Sequence, residues 1–224
     1  MAAMSRREIA EIIIDGGMVP VFNHDDPMVS KGVIKACYEG GLRVFEWTNR
    51  GNRAVEVFPI LIEMIASDCP GMRIGVGSIM DIPSAERYLS LGAEFLVSPV
   101  FDPDLASFAK KQSVVFIPGC GSVTEIHQAQ KWGAGLVKVF PGNTLGPAFV
   151  KAVLGPMPWS LIMPTSGVSP ERENLEAWFK AGVKCVGMGS QLFRKELMND
   201  EGMAEIEEKV REVLSMIKDV RALF

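Results

Sequence analysis

The 224-residue chain has only two histidines, two tyrosines and four cysteines. Cys37, Cys69, Cys120 and Cys185 stand 32, 51 and 65 residues apart, so there is no C-x-x-C or Cys/His cluster for a zinc ribbon or a thioredoxin-type motif. Scattered thiols in apolar context read as small buried hydrophobes, which suits a reducing compartment such as the cytoplasm. A cationic excess is also missing. The 23 Lys plus Arg face 27 Asp plus Glu, a net −4, so no nucleic-acid partner is expected. No run approaches 18 apolar residues, and Arg6, Arg7, Glu8 and Glu11 interrupt the first stretch, which argues against a membrane span or a signal peptide. No G-x-G-x-x-G follows the first apolar run, so a dinucleotide fold has no fingerprint here.

What remains is an ordinary globular composition, 48% hydrophobic and 22% charged, with one pattern repeated along the chain. Ser5-Arg6-Arg7-Glu8 is a capping box ahead of Ile9, Ile12 and Ile13, and Gly16-Gly17 ends that helix before the run Met18 to Phe22. Asp26-Pro27 and Asp102-Pro103 open further helices as N-cap and N1. Asp81 opens another, Ser122 to Glu125 form a second capping box, and Ser169-Pro170 starts a later helix. Short apolar runs follow the helices: Val44 to Trp47, Ile74 to Val76, Phe95 to Val97, Val114 to Ile117, Leu136 to Phe140, Leu161 to Met163 and Cys185 to Met188. Eight such strands, apolar on both faces and separated by helices, imply a parallel sheet. The expected fold is a (β/α)8 TIM barrel with an extra N-terminal helix, formed by residues 1–224 as a single domain. Pro59 should kink its helix or delay its start. The stripe Ile206, Val210, Val213, Leu214 and Ile217 reads as a closing amphipathic helix.

Such a barrel builds its active site at the C-terminal ends of its strands. Only two ionisable residues lie inside strands, Glu46 and Lys138; Arg43 and Arg73 stand at strand entrances. A buried charge needs a partner or a function. One reading is a lysine amine made nucleophilic among Val137, Val139 and Phe140, with a carboxylate nearby to move protons. The other is an ion pair that only ties two strands together. Thr165-Ser166-Gly167 follows the seventh strand and Gly187-Met188-Gly189-Ser190 ends the eighth before an expected helix, where this fold presents backbone N–H groups at a helix N-terminus to a phosphate. Those glycines can equally serve only tight turns. His24 beside Asp25 and Asp26 is better explained by Asp26 as an N-cap, so no metal is expected. His127 reads as a surface or rim residue. The four tryptophans read as core or interface groups, with Trp47 able to line the pocket or a subunit contact.

Seven segments at the strand ends occur in register: Glu46-Trp47-Thr48-Asn49-Arg50, Gly75-Val76-Gly77-Ser78, Ser98-Pro99, Ile117-Pro118-Gly119, Lys138-Val139-Phe140-Pro141, Pro164-Thr165-Ser166-Gly167 and Gly187-Met188-Gly189-Ser190. From about residue 5 to 220 the chain resembles the 2-keto-3-deoxy-6-phosphogluconate and 4-hydroxy-2-oxoglutarate aldolase family. The resemblance implies a metal-independent, cofactor-free lyase, with Lys138 as the Schiff-base lysine and Glu46 as general acid/base. It implies Arg50 and Ser78 around a pyruvate carboxylate with Thr165 nearby, a phosphate cradle at Ser166, Gly167, Gly189 and Ser190, and a homotrimer acting on a small keto acid. Ser78 stands where the family often has Thr, Ser166 where it usually has Gly, and Phe22-Asn23-His24 where it often has a basic residue. These departures bear on the substrate rather than on the imine. A phosphate-sugar isomerase or epimerase and a non-catalytic sugar-acid sensor are the alternatives on such a scaffold.

Overall fold

The first helix, α1 (Arg6–Gly16), is fixed at both ends by local chemistry. The Ser5 hydroxyl accepts from the Glu8 backbone N–H while the Glu8 carboxylate reaches back to the N-cap, and Gly17 leaves the helix at φ 76°. This computed structural model describes residues 5–224, with the backbone alone at Asp200. Strands β1 (Met18–Phe22), β2 (Val44–Thr48), β3 (Arg73–Gly77), β4 (Phe95–Val97) and β5 (Val115–Ile117) follow. They are separated by α2 (Pro27–Glu39), α3 (Ala54–Asp68), α4 (Ile82–Ser90) and α5 (Pro103–Lys111). After the two-residue β6 (Gly119–Cys120) come α6 (Val123–Lys131), β7 (Val137–Val139), α7 (Gly142–Leu154), β8 (Ile162–Pro164), α8 (Arg172–Lys180), β9 (Val186–Met188) and α9 (Asp200–Arg221).

Every strand pairing is parallel, in two runs ordered β5-β4-β3-β2-β1-β9 and β6-β7-β8. Pro118 marks one junction between them. It has no N–H to extend the ladder from β5, yet its carbonyl accepts from Lys138 at 2.8 Å, and the chain passes from pairing with β4 to pairing with β7. At the other junction the Lys184 N–H donates to Ile162 at 2.9 Å, and Thr165 bridges Gly187. The result is an α/β fold around a curled parallel sheet.

Two apolar layers follow from strand alternation. One lies between the sheet and the helices and contains Trp47, whose Nε1 donates to the Ala54 carbonyl at 3.1 Å. Trp47 therefore faces the helix layer and does not line a pocket. The other lies inside the curl: Val19, Val44, Phe95, Val97, Val115, Ile117, Leu136, Met163 and Cys185 pack with Ile9 and Ile13 of α1. α1 thus covers the N-terminal end of the curled sheet. α9 buries Ile206, Val210, Val213, Ile217 and Val220, and it approaches α2 closely because Gly40 offers no Cβ where Val210 stands.

Several local expectations need correcting. α3 starts at Ala54, so Pro59 lies within the helix and does not delay its start. The second capping box is half formed, because the Ser122 hydroxyl accepts from the Glu125 N–H whereas the Glu125 carboxylate takes the Gly121 N–H. The helix expected from Ser169-Pro170 begins at Arg172. No α-helix directly follows Ser190. Leu192 and Phe193 turn inward on N–H bonds to the Gly189 carbonyl at 2.8 and 3.1 Å, and Phe193 packs on Phe22 at 5.0 Å. The next regular elements are a three-residue 3-10 turn, Lys195–Leu197, and then α9. His127 is exposed, as expected for a surface residue.

Candidate active site

Lys138 and Glu46 meet inside the curl. Both are central residues of short strands and share the inward face, with side chains 6% and 1% exposed and Nζ 3.8 Å from Oε1. Glu46 Oε2 is buried with no hydrogen-bond partner. Burial pushes the Glu46 carboxyl above its ordinary value, outweighing the opposing attraction of Lys138 and then of Arg50. Gly77 makes room for this carboxylate, since a Cβ there would lie 2.6 Å from Glu46 Cδ and closer still to Oε1. The Lys138 ammonium position is 5.4 Å from the Phe140 ring centroid.

Above the pair a cavity of about 710 Å³ opens at the C-terminal strand ends. Lys138, Arg50, Thr165, Ser166, Gly167, Gly189 and Ser190 all line it. Glu46 lies beneath, in contact with Lys138. Ser78 is not on the wall; its hydroxyl instead accepts from Arg50 Nε at 3.0 Å. That bond occupies one guanidinium edge and leaves the other nitrogens for a ligand. The Thr165 hydroxyl is buried without a partner and fits against Gly187, where any Cβ would strike it.

The loops after β7 and β8 are locked together. Gly142 N–H donates to the Thr165 carbonyl at 2.9 Å, and the Ser166 hydroxyl donates to Asn143 Oδ1 at 2.9 Å. Ser166 and Gly167 are both left-handed, at φ 73° and 74°. For serine this conformation is uncommon, and the Asn143 contact helps hold it. Asn143, Gln191 and Lys195 also line the cavity, and sequence reading missed them. Asn143 had a faint signal in its place just after the lysine motif. Lys195 had none, because only the turn after β9 brings it over the mouth. Among the described residues, the lining contains Arg50, Lys138 and Lys195 but no Asp or Glu. His24 Nδ1 accepts the Asp26 N–H at 3.1 Å, and no group of three His, Cys, Asp or Glu converges among the described residues.

The family model for KDPG and KHG aldolase matches residues 9–209. The 2-dehydro-3-deoxy-phosphogluconate aldolase of Pseudoalteromonas atlantica is 32% identical over 79% of this chain and 80% of its own length. That of Pseudomonas aeruginosa is 31% identical over 91% and 90%. Among solved structures, the KDPG aldolase of Legionella pneumophila superposes with a TM-score of 0.81 at 25% identity, covering 90% of this chain and 96% of that one. That structure holds pyruvate captured at low pH as a covalent carbinolamine intermediate. A buried lysine against a carboxylate, at the floor of a carboxylate-free cavity in a chain matched over residues 9–209, leads to one assignment: the chain belongs to the KDPG and KHG aldolase family.

Proposed function

We propose that the protein is a class I aldolase cleaving a keto-deoxy sugar acid to pyruvate and an aldehyde. The observation that carries this reading is the Lys138–Glu46 contact at the cavity floor. Cleavage places an electron pair on the carbon alpha to a ketone, and an iminium on a lysine accepts that pair without metal. The neutral Lys138 amine attacks the C2 carbonyl, Glu46 moves the protons that convert carbinolamine to iminium, and water leaves. Glu46 then takes the C4 hydroxyl proton as the C3–C4 bond breaks, directly or through a water. The bond's electrons pass into an enamine and the aldehyde departs. Protonation at C3 and hydrolysis release pyruvate and restore the lysine.

Arg50, steadied by Ser78, holds the carboxylate of the keto acid, with Thr165 nearby. Ser166, Gly167, Gly189 and Ser190 take the distal anion, a phosphate or a carboxylate. The expectation that a following helix supplies the attraction gives way to backbone N–H groups of two turns and the Lys195 ammonium. The junctions at Pro118 and Thr165 support closure of the two strand runs into a (β/α)8 barrel with α1 as its N-terminal helix and residues 1–224 as one domain. Four free buried thiols suit a cytoplasmic setting, and exposed Met80, Val100 and Val123 suit a homotrimer. Among the described residues, no helix is long and apolar enough to cross a membrane.

Borohydride reduction with pyruvate tests the reading. A stable adduct on Lys138, lost in Lys138→Ala together with turnover, is expected. Glu46→Gln should slow turnover by roughly a hundredfold while trapping stays detectable. Normal activity in Lys138→Ala would overturn the imine, and trapping without pyruvate release would favour a sensor.

A further inference from the structure

A polar contact outside the cavity reaches the same chemistry from behind. Tyr88 on α4 is 1% exposed in the helix layer, its ring edge-on to Phe58 at 5.2 Å and 83°. Its hydroxyl is the one polar atom it carries into that layer, and it donates to Asn49 Oδ1 at 2.8 Å. Burial pushes the Tyr88 phenol up to about 12, so it remains a donor throughout the working range. Asn49 is the residue before Arg50, and its own N–H donates to the Gly77 carbonyl at 2.9 Å. The Arg50 carbonyl accepts from Asn23 Nδ2 at 3.0 Å. The backbone around Arg50 is therefore held by the Gly77 carbonyl and by Asn23 from the turn after β1, the side chain just before it by Tyr88 of α4, and its guanidinium by Ser78. A long side chain on a loop would otherwise lose considerable freedom on gripping a ligand.

We propose that Tyr88 is a positioning residue that acts through Asn49 to fix Arg50 for the carboxylate of the keto acid. This rests on the aldolase reading, in which Arg50 holds that carboxylate. An alternative role for Tyr88, packing alone, predicts an effect on stability without one on ligand binding. Tyr88→Phe keeps the ring and removes only the donor. Asn49→Ala removes the same bond from the other side.

The test is pyruvate affinity by calorimetry together with steady-state kinetics and thermal melting, in wild type, both single variants, the double variant and Arg50→Ala with and without Tyr88→Phe. Each single variant should raise KM and the pyruvate Kd by roughly three- to tenfold, the scale of one hydrogen bond, with kcat within about twofold, because the contact serves ground and transition states alike. The double variant should be no weaker than the weaker single, and in Arg50→Ala the Tyr88→Phe effect should vanish. A lowered melting temperature with unchanged Kd, or an effect that persists in Arg50→Ala, would overturn the proposal while leaving the aldolase intact. A wild type that binds no pyruvate would overturn both.

Discussion

Gly77→Ala isolates the carboxylate from every other feature of the site. The new Cβ would stand 2.6 Å from Glu46 Cδ, where ordinary contacts begin near 3.4 Å, so the carboxyl carbon must retreat by about 0.8 Å and Oε1 by more. The sheet cannot absorb the shift, because Glu46 is registered on Gly75 and Thr48 on Gly77 along the same strand pair. Movement therefore falls on the Glu46 side chain and on its 3.8 Å approach to Lys138. A displacement near 1 Å in a reacting constellation costs on the order of a hundredfold in rate, and the overpacking itself costs about 1–3 kcal/mol of stability. Steady-state pyruvate release should fall by about that hundredfold, and borohydride trapping on the undisturbed Lys138 should persist. Gly75→Ala is the control. Its Cβ would land in the Phe95 ring, a comparable packing insult lower in the same strand, and it should lower the melting temperature with far less loss of kcat. Gly77→Ala with kcat within about threefold of wild type would refute the assignment of Glu46 to proton transfer, as would Gly75→Ala losing equally much.

Other outcomes follow from the same geometry. Because burial raises the Glu46 carboxyl, the folded state keeps that proton after the unfolded chain has released it. Its contribution to stability is complete below about 4.5 and is lost as pH rises through the raised value. Melts should show wild type losing ground to Glu46→Gln as pH rises over that range, and wild type gaining on the variant would contradict it. The acid limb of kcat should flatten in Glu46→Gln, since only the ionised carboxylate can accept a proton. Lys195→Met should lower kcat/KM by about fivefold for substrates with a distal anion and leave those without one unchanged; equal effects on both would remove Lys195 from substrate recognition. Light scattering at micromolar concentration should give a trimer mass, and a monomer mass would remove the assembly.

The strands were legible in the sequence because short apolar runs bounded by Gly and Asp-Pro leave few other readings, and Asp26, Asp81 and Asp102 cap their helices where expected. Glu46 and Lys138 stood out because charge inside such runs is costly. Other features depend on distant partners. The transfer at Pro118 from β4 to β7 requires knowing which strands are neighbours. α7 is interrupted at Gly146, φ 69°, just before Pro147, and nothing upstream announces a helix that resumes. Leu192 and Phe193 could have lined a helix, but the apolar site beside Phe22 and Phe45 draws Phe193 inward and leaves a turn. Tyr88 and Asn49 are 39 residues apart, and their contact exists only once the fold brings α4 beside the turn after β2.

The apolar contact of Ile9 and Ile13 with the interior of the curl makes the reaction chamber a blind alley. On the aldolase reading proposed above, the half of the substrate bonded to Lys138 would sit at its end, with the aldehyde half nearer the mouth. On that reading the aldehyde would leave ahead of pyruvate, because pyruvate is still bonded to Lys138 as the enamine, and in the reverse direction pyruvate would have to be seated first. The α1 helix would then confine both to one route, through the mouth at the C-terminal strand ends, without touching either.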